Sequence, residues 1–193
     1  MAPNTYTVEF KPAQPKIKKY IPFILTALVI IIDQITKALI VSHIQRYTIG
    51  ASFFGDFLRI VHVSNPGIAF SIGQGWSVAV RGILFRAVPL VVIILVIGVY
   101  IRNEDFTALQ RWAIAGVVGG GIGNLIDRFF RAEGVIDFID VQWFGMANSP
   151  VRFLRWDRWP TFNVADSAVV VCGILLIISF VLTLKKEKKE AAE

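Results

Sequence analysis

Cysteine, histidine and charge are all scarce in this chain, and each shortage closes off a class of chemistry. A single cysteine, Cys172, stands among 193 residues, so neither a disulfide framework nor a thiolate metal site can form within one copy. Zinc favours histidine and cysteine ligands, and the chain offers only two histidines and one cysteine, with no H-E-x-x-H. No histidine lies inside an apolar run, which leaves a membrane serine protease without its usual base. Charged residues make up only 18% of the chain, against about 25% in soluble globular domains.

Apolar side chains are abundant instead: 55% of residues are hydrophobic and the mean hydropathy is +0.62. A helix needs roughly 20 mostly apolar residues to cross a bilayer. Four runs qualify, at about residues 20–41, 78–101, 112–129 and 163–184. The expected fold is an all-α membrane protein of four transmembrane helices with a small extracytoplasmic β-sheet and an interfacial loop. Residues 20–184 form its single domain, between tails at 1–19 and 185–193 that read as solvated and disordered. The first run is read as a retained anchor, because Asp33 and Lys37 interrupt it and no small-residue cleavage pattern comes after it.

The net charge of +6 sits beside the apolar runs, which points away from nucleic acid. Lys11, Lys16, Lys18 and Lys19 precede the first run, and Lys185, Lys186, Lys188 and Lys189 come after the last. Four crossings put both clusters on one side, which the positive-inside rule makes the cytoplasm. Arg131, Arg152, Arg155 and Arg158 oppose that rule from the third connection.

Polar residues inside the runs are costly in hydrocarbon and therefore informative. Asp33 and Lys37 are spaced to pair on one helix face. Residues 57–63, followed by Asn65-Pro66-Gly67, read as an amphipathic hairpin at the outer surface, with His62 an interfacial side chain rather than a ligand. In the third run Gly116, Gly120, Asn124 and Arg128 form one stripe and Gly119, Gly123 and Asp127 the next, a spacing that lets other helices approach closely. Trp143, Trp156 and Trp159 with their neighbouring arginines resemble an interfacial belt.

Asp127 ends the third run, Asp166 begins the fourth, and Asp137 sits in a short apolar segment that would carry it back over the helix ends. Carboxylates gathered in low dielectric cannot all ionise, so one holds a proton and a pair can act as acid and base on water. A helix N-terminus favours negative charge, making Asp166 the acid expected to be ionised. On these grounds alone Asp127 competes with Asp137 for the second place. Two other readings stay open: a small transporter or channel component with an acidic relay past Asp33 and Lys37, and magnesium-dependent phosphotransfer on Asp127, Asp137 and Asp140.

The ordered motifs Asp33-Gln34-Ile35-Thr36-Lys37, Asn65-Pro66-Gly67-Ile68-Ala69-Phe70, Gly120 to Arg128, Val135-Ile136-Asp137-Phe138 and Phe162-Asn163-Val164-Ala165-Asp166-Ser167 resemble lipoprotein signal peptidase (signal peptidase II). The resemblance implies an aspartic endopeptidase of the bacterial cytoplasmic membrane that needs no cofactor or metal. It implies that diacylglyceryl-modified prolipoproteins are cut just before the lipidated cysteine, among membrane lipids, and that the cyclic peptide globomycin inhibits. Carried over by residue, it makes Asp137 and Asp166 catalytic. Asn65, Gly67, Asn124, Arg128 and Asn163 would hold substrate or orient the acids. Asp33 and Lys37 would support the site, and Asp127 would orient Arg128. The stretch between Asp137 and Asp166 is longer than the resemblance leads one to expect.

Overall fold

The computed structural model describes residues 16–66, 77–145, 148–151 and 155–191. A short helix α1 (Lys16–Tyr20) leads into α2 (Phe23–His43). A hairpin comes next, β1 (Ile49–Phe53) and β2 (Leu58–Asn65), then α3 (Val78–Gly82), α4 (Val88–Arg102) and α5 (Ala108–Phe130). Strand β3 (Val135–Val141) and the long α6 (Val164–Glu190) complete the chain. Between α3 and α4 the backbone widens into a π turn over Ile83–Ala87. Pro89 explains this locally, since it offers no amide to the carbonyl four residues back.

The helices long and apolar enough to cross a membrane are Lys18–His43, Ile83–Arg102 and Val164–Glu190. Their outward faces carry exposed Ile, Leu and Val side chains such as Ile24, Leu95 and Ile177, the arrangement lipid rather than water rewards. α5 has the length, but its glycines and its polar outer end lower its hydropathy. It lies among the other helices, with Ala113, Ala115, Gly116, Val118, Gly119 and Gly120 buried along it.

Its two glycine stripes serve two different neighbours. A Cβ on Gly116 or Gly120 would collide with Cys172 or with the Ala165 carbonyl and Val169, all on α6. A Cβ on Gly119 would lie 3.0 Å from Val29 Cβ and 3.1 Å from Thr26 Cα, both on α2. Thr26 seals that second contact by donating to the Ala115 carbonyl at 2.7 Å. α4 packs on α5 through buried Tyr100, Ile114 and Val118, and Tyr100 Oη donates to the Lys19 carbonyl at 2.6 Å.

The three strands form one antiparallel sheet in the order β1-β2-β3, matching the expected small sheet and adding the Asp137 segment to it. β3 pairs Val63 with Asp137 and Asn65 with Val135, after an irregularity between Ile60 and Val63. Ile136 and Phe138 pack on Ile40 near the end of α2, so the sheet lies across the helix ends. Gly134 enters β3 at φ 92°, a backbone region that disfavours side chains.

Two expectations change. His62 is buried rather than interfacial, with Nδ1 2.7 Å from the Ile44 carbonyl. The basic tail is not disordered from residue 185: α6 continues to Glu190. Lys and Glu are good helix formers, cations suit a helix C-terminus, and Lys186 stands 3.6 Å from Glu190 one turn on. Residues 1–15 lie outside the described residues.

Gly120→Ala should lower stability by about 1–3 kcal/mol, the usual cost of overpacking a tight contact. Thermal unfolding in detergent checks it, against Gly98→Ala, whose added Cβ would meet nothing within 4 Å.

Candidate active site

The approach to α6 runs beside β3. Phe162 exchanges backbone hydrogen bonds with Ile139, donating at 3.0 Å and accepting at 2.8 Å, and also accepts from Phe138 at 3.0 Å. That pairing delivers Asn163 next to Asp137. Asn163 then starts the helix: its Oδ1 accepts from the Asp166 amide at 2.9 Å, and Asp166 Oδ2 accepts from the Asn163 amide at 3.2 Å. This reciprocal capping box satisfies two otherwise orphaned amides. It also answers why polar residues open an apolar helix, since the end of the helix needs them.

Asn163, completely buried, directs Nδ2 to Asp137 Oδ1 at 2.8 Å, to Asn124 Oδ1 at 3.1 Å and to the Ile136 carbonyl at 3.3 Å. Asn124 Nδ2 donates to Asp166 Oδ1 at 2.7 Å. Asn65 Nδ2 donates to the other oxygen of Asp137 at 3.1 Å. Three asparagines from β2, α5 and the head of α6 thus brace two carboxyl groups.

Behind them lies a water-excluded ion network. Lys37 Nζ is 2.8 Å from Asp33 Oδ2 and 2.9 Å from Asp127 Oδ2, and all three side chains are fully buried. The same ammonium donates to Asn124 Oδ1 at 3.1 Å. Asp33 Oδ1 accepts from the Ala165 amide at 3.0 Å, in the first turn of α6. Asp127 accepts from the Ile136 amide at 3.1 Å and from Arg131 Nε at 3.0 Å. One lysine therefore ties α2 to α5 directly and, through its carboxylate partners, to α6 and β3.

A cavity of about 800 Å³ opens beside the bracing asparagines. Asp137, Asp166, Asn65, Asn124 and Arg128 all line it, while Asp33 and Lys37 do not. Most of the remaining wall is apolar, from Val135, Trp159 and Phe162 to Val170 and Val171 on α6. The last two are exposed, at 58% and 56%, so the cavity is continuous with a helix face suited to lipid. Burial, reinforced by the charge of Asp166, pushes the Asp137 carboxyl up to about 7; bonds from Asn65 and Asn163 and the charge of Lys37 oppose that rise. Arg128 brings its charge within reach of Asp166 and Asp137, and its Nε is buried without a hydrogen-bond partner.

The structure gathers Asp137, Asp166, Asn65, Asn124 and Arg128 at one cavity, with Asn163 buried beside Asp137, and sets Asp33, Lys37 and Asp127 behind them. Gly67 lies outside the described residues. The expectation that Asp127 orients Arg128 gives way to a different partnership: Lys37, Arg131 and the Ile136 amide take up its carboxylate. Asp127, so engaged, lies outside the cavity lining, and its charge still reaches Arg128. The three acids considered for magnesium are likewise separated, because Asp140 is held by Arg158 at 2.7 Å. A relay lined by Asp33 and Lys37 finds no support, since both are sealed from the cavity. Gln34 was not expected at the site; its Nε2 donates to the Gly123 carbonyl at 3.1 Å and to Asp127 at 3.3 Å. Its place between Asp33 and Thr36 in an apolar run was the available signal.

The chain is similar to known proteins along most of its length. Residues 25–182 match the family described as Signal peptidase (SPase) II. A lipoprotein signal peptidase of Treponema pallidum is 44% identical over 176 residues, covering 91% of this chain and 89% of its own length. One from Treponema denticola is 46% identical over 170 residues, covering 88% and 94%. A solved structure described as a bacterial membrane enzyme superposes with a TM-score of 0.69 at 26% identity, covering 86% of this chain and 90% of that one.

Lys37→Ala would leave two carboxylates buried without their shared cation. Loss of one partner of a buried pair costs about 3–5 kcal/mol, so its melting temperature in detergent should fall well below that of a surface variant such as Lys186→Ala. Asp137 adds a pH dependence. Its carboxyl binds a proton more tightly when folded, from the ordinary 3.8 up to about 7, so stability falls as pH rises through that window and levels off above it. Asp137→Asn should flatten the fall in melting temperature between pH 4 and 7.

Proposed function

Belonging to the signal peptidase II family, the chain is a protease that cleaves signal peptides from prolipoproteins, and we propose that it does so with Asp137 and Asp166 as its catalytic pair. The observation that carries this reading is the placement of both carboxyls in one cavity, braced by shared asparagines, with Asp137 raised to about 7. A pair poised in this way holds one proton between two carboxyls near neutral pH.

In the proposed reaction Asp166 is ionised and takes a proton from a water held between the acids. The water oxygen attacks the carbonyl carbon of the scissile peptide bond while Asp137 gives its proton to the carbonyl oxygen. Collapse of the tetrahedral intermediate breaks the carbon–nitrogen bond: Asp166 passes its proton to the leaving amine, and Asp137 takes a proton back from a hydroxyl of the gem-diol as the carbonyl re-forms, which restores the pair. Arg128 and Asn65 hold the substrate backbone against the pair. No metal or cofactor enters this scheme.

The substrate's placement is argued from the cavity's two surfaces. Its acids face the sheet, and its Val170–Val171 edge faces lipid. We assign the diacylglyceryl group of the modified cysteine to the lipid edge, with the peptide bond before that cysteine at the acids. Globomycin would compete for the same space. α5 makes the fourth crossing, sheltered by α2, α4 and α6. Lysines at both ends place the termini in the cytoplasm and the site near the outer face.

Purified protein in detergent, with EDTA present, should cut a diacylglyceryl-modified prolipoprotein. Asp137→Asn and Asp166→Asn should each lose at least about 10²–10⁴-fold in rate, the share general acid–base groups usually supply, while remaining folded. For the wild type, kcat/KM should fall on the alkaline side with an apparent pKa of about 7. Full activity in either variant would refute the pair.

A further inference from the structure

In the long segment between β3 and α6, Arg158 ties the chain to two neighbouring elements. Arg158 Nε lies 2.7 Å from each oxygen of Asp140, and Nη2 donates to the Asp140 carbonyl at 3.1 Å. Its third nitrogen, Nη1, donates at 3.0 Å to the carbonyl of Asp56 in the β1–β2 turn. Asp56 is itself gripped by Arg59, whose Nε donates at 2.6 Å, and by Ser52. One guanidinium therefore joins the end of β3, the hairpin turn and the returning chain, using the fork geometry that lysine cannot supply.

Immediately beyond Arg158 the chain becomes the wall of the cavity. Trp159, Pro160, Thr161 and Phe162 line it consecutively. Their backbone runs back along β3: the Trp159 amide donates to Val141 at 2.9 Å, Gln142 bridges Arg158, and Phe162 meets Ile139. The Trp159 ring lies 4.9 Å from that of Trp143 and remains 40% exposed, leaving a surface for a ligand to cover. Arg158 does not line the cavity, and the bonds that hold it run to Asp140 and Asp56 rather than to either catalytic carboxyl.

We infer that Arg158 is a positioning residue for prolipoprotein binding: it sets residues 159–162 as the outer wall against which the precursor seats. The inference rests on the proposed peptidase reading and gives the long insert a task within it. The acids are braced separately by Asn163, Asn124 and Asn65, so disturbing the wall changes how well substrate is held and leaves the chemical step alone. Loss of such uniform binding raises KM without lowering kcat.

The test is steady-state cleavage of a diacylglyceryl-modified fluorogenic precursor in detergent by wild type, Arg158→Ala, Arg158→Lys, Trp159→Ala and Arg46→Ala. The last breaks an exposed pair with Glu133 at 3.0 Å, away from the wall. Arg158→Ala should raise KM about 10–100-fold, the scale of a misplaced binding surface, with kcat changed by less than about twofold. Arg158→Lys should fall between it and wild type. Trp159→Ala should reproduce the KM rise with the clamp intact, and Arg46→Ala should match wild type. An unchanged KM in Arg158→Ala, or a fall in kcat that tracks its melting temperature, would overturn the inference. Should Arg158→Ala fail to fold, wild-type KM in both Arg158→Lys and Trp159→Ala would overturn it equally. Wild type that cuts nothing would overturn the peptidase reading and this inference together, before any variant is compared.

Discussion

Lys37 carries an ammonium group into a region without water, and the structure is arranged around the consequences. An unpaired charge there would cost far more than a domain's net stability, so its neighbours are dictated. Asp33 supplies a carboxylate from the same helix and Asp127 one from α5, at 2.8 and 2.9 Å. Each carboxylate has oxygens left to satisfy. Asp33 turns one to the first turn of α6, and Asp127 turns its own to β3 and Arg131. A single buried cation thereby fixes the relative positions of three helices and the strand that bears Asp137. A hydrophobic replacement of the network could be as stable, but it would lack this directional control.

Such bonds close only if the helices come within reach, which is the task of the glycines on α5. A side chain at Gly123 would press on Asp33 at 2.8 Å, and one at Gly120 on the Ala165 carbonyl. The small-residue stripes and the ion network are thus one device. The first brings α2 and α6 up to α5, and the second locks their register.

Much of this could be read from residue types. The i,i+4 spacing of Asp33 and Lys37 announced their pair, the glycine stripes announced the close approach of another helix to α5, and Asn163 with Asp166 announced a helix start. These are local patterns, legible because helix geometry fixes which residues meet. What escaped was set by tertiary pairing. The Asp127–Arg131 pair has the same i,i+4 spacing and was open to the same reading, whereas the bonds from Asp127 to Lys37 and to the Ile136 amide depend on how α2 and β3 pack against α5. His62 looked interfacial because its strand alternates, yet the sheet folds that face onto Ile44. The arginines of the long insert read as a lipid-facing belt, whereas Arg158 turns inward to Asp140, a choice made by the pairing of residues 158–162 with β3.

Asn124 shows how support and chemistry are kept apart while remaining connected. Its carbonyl oxygen accepts from Lys37 and from Asn163, and its amide nitrogen donates to Asp166. An amide can do both because it carries an acceptor and a donor but no charge. A carboxylate in its place would add a second negative charge beside the one the two acids carry, and a lysine would neutralise the pair it is meant to orient. The charged network therefore ends one residue short of the cavity, and neutral asparagines carry its rigidity across the gap. That insulation is what lets Asp137 stay close enough to Asp166 to feel its charge, although Lys37 is near enough to oppose the effect. The proposed sharing of one proton between the two acids thus accounts for amides, rather than acids or bases, at the positions between them and the buried ions.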